Sequence, residues 1–169
     1  KWKNDATITV ISGDRDLLQL LNPSMTIALT KKGYTQYELY NEARFIEEYG
    51  ITPARLADVK AFMGDSSDGY PGIKGIGPKT ALQLVQTYGS IEGVLANLES
   101  LKPAQRTKIL TDMEMLSLSH QLATIQCGMD IGLQLDDLAR SPYTWQHEQM
   151  LQQKGYRLIV KHAKSLGML

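Results

Sequence analysis

Apolar and polar positions change their period along this chain, and the change divides it. Residues 6–11 (ATITVI) are a short β-branched run stopped by Ser12 and Gly13, which reads as a buried strand. Residues 14–21 place Leu17, Leu18 and Leu21 on one side of a short helix. After the Asn22-Pro23-Ser24 turn, residues 25–30 (MTIALT) give a second strand, and Lys31-Lys32-Gly33 turn the chain into a hairpin or bend. From there the period is helical. Asn41 is placed to cap a helix over 42–49 that Gly50 stops. Thr52-Pro53 starts another, with Leu56, Val59, Phe62 and Met63 at helical spacing and Gly64 at its end. Pro78 opens a third, with Ala81, Leu82, Val85 and Tyr88 on one face and Gly89 as the stop. Ser90 caps a short helix over 91–98. Pro103 begins a long one reaching about residue 126, with Ile109, Leu110, Met113, Leu116 and Leu122 as core candidates. Residues 145–169 read as helical with a break at Gly155. Two or three strands need further partners to be stable, so the pattern predicts more sheet in sequence outside this chain. The opening Lys1 in place of Met agrees with that expectation.

Composition narrows the class. With 43% hydrophobic and 21% charged residues the chain has the mix of a globular domain. It lacks an apolar run of the roughly 20 residues that span a bilayer and a leader pattern, which makes the cytoplasm the expected compartment. One cysteine, Cys127, leaves no internal disulfide and reads as a small core or helix-end residue. Three histidines and that cysteine are too few to point to an all-protein zinc cage. Net charge is zero, from 18 basic and 18 acidic side chains, which points away from a protein that coats DNA but leaves room for a local basic patch.

Two pairs of carboxylates carry the candidate chemistry. Asp14 and Asp16 stand where the first strand passes into a helix, the end of a strand at which open α/β sheets bind ligands. A single Asp there reads as a helix cap. Two, flanking Arg15, repel each other unless a cation compensates them. Asp65 and Asp68 follow a helix stop in GDSSDGY; that composition also makes an ordinary turn. Hard divalent cations such as Mg²⁺ and Mn²⁺ take carboxylate oxygens, and two such ions about 4 Å apart serve phosphodiester cleavage.

Directly after the second pair comes Gly72-Ile-Lys-Gly75-Ile-Gly77-Pro-Lys79-Thr80. It fails the P-loop pattern by one residue, since Pro78 stands where Lys is required, and no buried strand precedes it. Helices on both sides make it a helix–hairpin–helix. Gly75 and Gly77 would let backbone approach a phosphate, the free N–H groups of the next helix favour an anion, and Lys74 and Lys79 add charge. Such contacts hold DNA without reading its sequence. A plain helical hairpin, whose glycines only turn the chain, is the alternative; the alternation Ile73, Gly75, Ile76, Gly77 favours the phosphate grip.

Three blocks together carry a family resemblance: SGDRDLLQL from Ser12, KAFMGDSSDGYPGIKGIGPKTALQLVQTYGSIEGVL from Lys60, and LSLSHQLATI from Leu116. Over residues 6–126 the chain resembles the C-terminal half of the 5′→3′ exonuclease domain of bacterial DNA polymerase I and its stand-alone relatives in the flap endonuclease family. The resemblance implies an α/β fold, mostly helical in this part: the end of a mixed or parallel sheet (1–50), a helix–three-turn–helix DNA-binding region (51–126) and a helical extension packing on the core (127–169). It implies a divalent-metal-dependent nuclease that cuts branched or duplex DNA by a two-metal mechanism. Asp14, Asp16, Asp65 and Asp68 would be metal-site and catalytic acids, with Mg²⁺ or Mn²⁺ as cofactor. Lys74, Gly75, Gly77, Lys79 and Thr80 would hold DNA, and the hairpin carbonyls could hold K⁺. Gly69-Tyr70 departs from the usual Asn-Ile of the family. The family draws further acids and a basic arch from sequence upstream of this segment, so the chain alone is expected to be inactive. The competing reading is a non-catalytic helix–hairpin–helix module; the carboxylates argue against it, because they would repel DNA.

Overall fold

The computed structural model describes residues 6–32, 36–139, 142, 144–165 and 167. The β-branched opening forms β1 (Ile8–Ser12), which lies parallel to β2 (Met25–Lys32), with Ile8 opposite Met25 and Ser12 opposite Leu29. A 3-10 helix, Arg15–Leu20, makes the crossover. β3 (Gln36–Tyr40) runs antiparallel to β2, so the sheet is mixed, in the order β1-β2-β3, with an irregularity between Thr30 and Lys32. β2 is the central strand and buries three consecutive residues, Ile27, Ala28 and Leu29. Burial on both faces explains why its sequence reads as a continuous apolar run.

The helices begin and end on chemistry visible in the sequence. Asn41 Oδ1 accepts from the Arg44 amide at 2.8 Å and starts α1 (Glu42–Tyr49), and Gly50, at φ 64°, ends it. A 3-10 turn at Pro53–Arg55 leads into α2 (Leu56–Met63); Thr52 makes no side-chain cap there. α2 is central. It buries Leu56, Ala57, Val59, Ala61 and Phe62, and packs on both α3 (Pro78–Tyr88) and α6 (Met113–Ala123). Ser90 Oγ caps α4 (Ile91–Ala96) by accepting from the Gly93 amide at 3.1 Å. That helix stops two residues short of the expected end, and a 3-10 turn at Leu98–Ser100 follows.

The long helix predicted from Pro103 is two helices. α5 (Pro103–Thr111) and α6 meet at Asp112, whose φ of −111° and ψ of 29° break the helical run. Neither Gly nor Pro marks the break. Its consequence is a change of face: Ile109 and Leu116 are buried as expected, while Leu110, Met113 and Leu122 are exposed. Cys127 lies past the end of α6 and is exposed, so it is not a core residue.

One apolar cluster joins the sheet to the helices. It runs from Leu18, Ile27, Tyr40 and Phe45 to Phe62, Ile73, Val85, Ile109 and Leu116. Residues 1–129 make one compact unit and 130–169 a second. In the second unit α7 (Trp145–Gln153) and α8 (Arg157–Ser165) flank Gly155, and Lys164 pairs with Glu148 at 2.7 Å. No described helix is long and apolar enough to cross a membrane.

Candidate active site and phosphate-binding hairpin

The carboxyl end of β1 delivers the first pair of acids. The Asp14 amide donates to Ser12 Oγ at 3.1 Å, and Asp14 Oδ1 accepts from the Asp16 amide at 2.8 Å. Asp14 is therefore the cap of the 3-10 helix, and the turn it holds presents Asp16. The crossover is fixed from its far side by Gln19, whose Nε2 donates to the Ala123 carbonyl at 2.8 Å and whose Oε1 accepts from the Ile125 amide at 3.4 Å.

The second pair comes from the loop after α2. Gly64 ends that helix by donating to the Lys60 carbonyl at 2.8 Å. Asp65 and Tyr70 then exchange backbone hydrogen bonds of 2.8 and 3.1 Å and close a tight loop around Asp68. Gly69, at φ 79° with open space around it, sits in this loop, so the departure from the family pattern falls at a position that glycine suits. The loop is buttressed by the buried Tyr70, packed with Ala57 and Ala123. Burial, with the charges of Asp65 and Asp68 adding to it, pushes the Tyr70 phenol up to about 12.

Asp16, Asp65 and Asp68 come together: one carboxylate oxygen from each lies within 4.8 Å of the others. Asp16 and Asp65 are half-buried and Asp68 is exposed. Of the four acids marked in the sequence, three share this group, and Asp14 serves the turn behind it. At the centre stands a residue that sequence reasoning missed. Lys60 Nζ donates to Asp65 Oδ2 at 2.7 Å and also contacts Asp16 Oδ1. Ser67 adds its amide, at 2.9 Å, and its hydroxyl to Asp65 Oδ1. Lys60, then Ser67, hold the Asp65 carboxyl well below the usual carboxylate range. The one sequence signal for Lys60 was a charge inside the apolar helix LADVKAFM.

The hairpin follows. Ile73 and Ile76 are buried and pin it, while Lys74, Gly75, Gly77 and Lys79 face solvent. Gly77 is the residue before α3, and the first helical bond runs from the Ala81 amide to the Gly77 carbonyl at 3.0 Å, so the Lys79 and Thr80 amides precede the helical ladder. Two ties from the α5–α6 junction set its shape. Lys108 Nζ donates to the Gly75 carbonyl at 2.8 Å, and Asp112 Oδ2 accepts from the Lys74 amide at 3.0 Å. Neither residue was marked in the sequence; both lie more than thirty positions away in a stretch that reads as uninterrupted helix. A cleft lined by Asp65, Tyr70, Pro71 and Pro78 joins the acidic loop to the start of α3.

Strand-end and loop carboxylates gathered around an ammonium, beside a glycine hairpin that opens a helix, define an α/β domain with an acidic site and a helix–hairpin–helix. The chain belongs to the 5′-3′ exonuclease, C-terminal SAM fold family, whose model matches residues 51–146. It is 46% identical over 148 residues to a 5′-3′ exonuclease of Bacillus subtilis, covering 88% of this chain and 49% of that protein. It is 44% identical over 133 residues to the DNA polymerase I of Bacillus caldotenax, covering 78% of this chain and 15% of the polymerase. The chain thus spans about half the length of the one relative and a small part of the other. In fold it is similar to the T5 D15 protein co-crystallised with metal ions, at a TM-score of 0.58 and 20% identity, over 68% of this chain and 42% of that one. The same T5 protein, a flap endonuclease, is also known in a pseudo-enzyme-product complex with DNA and metal ions.

Proposed function

We propose that this chain is the part of a 5′→3′ exonuclease and structure-specific 5′ flap endonuclease that supplies one wall of a divalent-metal site and the grip on duplex DNA. The observation that carries the reading is the convergence of Asp16, Asp65 and Asp68 within 4.8 Å. The donor set fits Mg²⁺ or Mn²⁺: hard carboxylate oxygens, on a half-open surface, already crowded enough to hold a positive charge in the form of Lys60. Asp16, Asp65 and Asp68 would hold the ion, with Asp14 fixing the Asp16 turn. When bound, divalent ions lower the pKa of a water and stabilise the leaving oxygen of a phosphodiester.

The chain's own residues do the positioning. Gly75, Gly77, the Lys79 and Thr80 amides and the Lys74 and Lys79 ammonium groups offer a phosphate backbone a site without base contacts. The cleft from Pro78 to Asp65 leads from that grip to the carboxylates. K⁺ would take backbone carbonyls of the same hairpin, where Lys108 already lies on the Gly75 oxygen. A binding module without catalysis gains nothing from three carboxylates near its phosphate grip, which weighs against that reading.

Three carboxylates attract an ion but do not fix two, so this chain alone is expected to bind branched DNA and metal without cutting. The test is a labelled 5′-flap substrate with Mn²⁺, comparing the chain with a full-length protein that contains it, each with and without Asp65→Ala. The expected result is cleavage only by the unsubstituted full-length protein. Cleavage unaffected by Asp65→Ala would overturn the assignment of the site.

A further inference from the structure

Lys60 is in an unusual position for a lysine. Its side chain is only 10% exposed, its helix is buried on nearly every side, and its ammonium lies against two of the three clustered carboxylates. A lysine normally carries its charge out to water along an apolar stem. Here the stem leads the charge to the acids. Asp16 and Asp65 reach this point from separate elements, the crossover after β1 and the loop after α2. Without a cation between them they would repel one another in a half-buried setting where screening is weak.

We propose that Lys60 is a built-in counter-ion of the acidic site, seated where a divalent cation must bind and displaced when it does. This rests on the metal-site reading of Asp16, Asp65 and Asp68. In the metal-free protein the ammonium offsets part of the cluster's negative charge and ties the β1 crossover to the α2 loop. A divalent ion offers more charge to the same oxygens and competes for them. The released ammonium is then a mobile positive charge beside the ion, and the chemical group that suits it is a phosphate oxygen of the nucleic-acid backbone. Lys60 therefore makes metal and DNA binding mutually supportive. The ion frees the ammonium for phosphate, and a phosphate that takes the ammonium vacates the carboxylates for the ion. Linkage requires that the two effects be equal in size.

The test is a Mn²⁺ titration of the intact chain, read by electron paramagnetic resonance, with and without a short DNA duplex. The variants are Lys60→Met, which keeps the stem and removes the charge, and Lys60→Arg, which keeps a charge. Circular dichroism and thermal melting establish that each variant is folded. In the absence of DNA, Lys60→Met is expected to bind Mn²⁺ on the order of tenfold more tightly than the unsubstituted chain, because a competing charge at hydrogen-bond distance is gone. Its metal-free melting temperature should fall, and Mn²⁺ should restore it by more than it raises that of the unsubstituted chain. DNA should tighten Mn²⁺ binding to the unsubstituted chain, and not to Lys60→Met. Lys60→Arg should stay weak for Mn²⁺. Equal or weaker Mn²⁺ binding by Lys60→Met, with ordinary binding by the unsubstituted chain, overturns the counter-ion role and leaves the metal site standing. No Mn²⁺ binding by any of the three overturns both.

Discussion

Gly64 and Gly72 cross with their backbones in contact. A Cβ on Gly72 would lie 2.2 Å from the Gly64 amide nitrogen, and one on Gly64 would lie 2.4 Å from the Pro71 carbonyl carbon. Both have positive φ, 73° and 61°. The crossing closes the loop that carries Asp65 and Asp68 and returns the chain to the hairpin, where the Ile73 amide donates to the Phe62 carbonyl at 2.9 Å. Gly72→Ala should therefore cost more than a conformational penalty alone, at least about 2 kcal/mol. Urea denaturation measures it. A loss under about half that value would mean the loop opens easily, and the acids with it.

The Asp112 tie separates two views of the hairpin. If only charge mattered, Asp112→Ala would improve duplex binding, since it removes a negative group near the DNA face. If the bond from the Lys74 amide shapes the hairpin, the same change should weaken binding severalfold. Fluorescence anisotropy with a labelled duplex decides, and tighter binding would reject the shaping role.

Lys79 should act on all duplexes alike. Lys79→Ala is expected to weaken binding without regard to sequence and to reduce the slope of log affinity against log salt by about one. An unchanged slope, or a loss that depends on base sequence, would count against a phosphate contact.

Gln19 fastens the crossover behind Asp16 to the end of α6 with two hydrogen bonds. Gln19→Ala should destabilise the chain by about 1–2 kcal/mol and loosen Asp16, so Mn²⁺ affinity should fall with stability. Stability lost with metal affinity unchanged would show that Asp14 alone sets the turn.

Asp58 gives a pH dependence whose sign is fixed. It is buried between Arg55, at 3.2 Å, and His120, at 3.3 Å, and burial raises its carboxyl pKa despite both partners. A raised folded value means that the folded chain binds the proton more tightly than the unfolded chain. The contribution of Asp58 to stability therefore grows as pH falls through the folded value, and levels off below the unfolded value of about 4. In a His120→Asn background, the stability difference between Asp58 and Asp58→Asn should move in favour of Asp58 as pH is lowered from 7 to 4. Denaturant midpoints report it, and the opposite slope would reject burial as the controlling cause.

The parts legible in the sequence are those with local causes. Asn41, Gly50, Pro78 and Gly89 bound helices through capping and φ preferences that act within a few residues, and those boundaries match the structure. The fold class was equally open, because β-branched runs and helical spacing differ in period. What stayed hidden depends on distant partners. The break at Asp112 accompanies a bond to the Lys74 amide, and no residue on either side breaks a helix. Lys60 shows in the sequence only as a charge inside an apolar helix, and the acids it meets come from the crossover after β1 and the loop after α2. Asp14 and Asp16 look alike in sequence, and only the turn geometry separates a cap from a member of the cluster.

The elbow between α5 and α6 has a consequence for modularity. The hairpin resembles a portable cassette, a glycine turn with a helix on each side. Yet its Gly75 carbonyl and Lys74 amide are held by Lys108 and Asp112, from outside those two helices. Residues 56–88 grafted onto another scaffold would arrive without their fasteners. The smallest transferable piece runs from α2 through α6, and the same boundary limits how the segment can be shortened, permuted or exchanged between relatives without losing the shape of the hairpin.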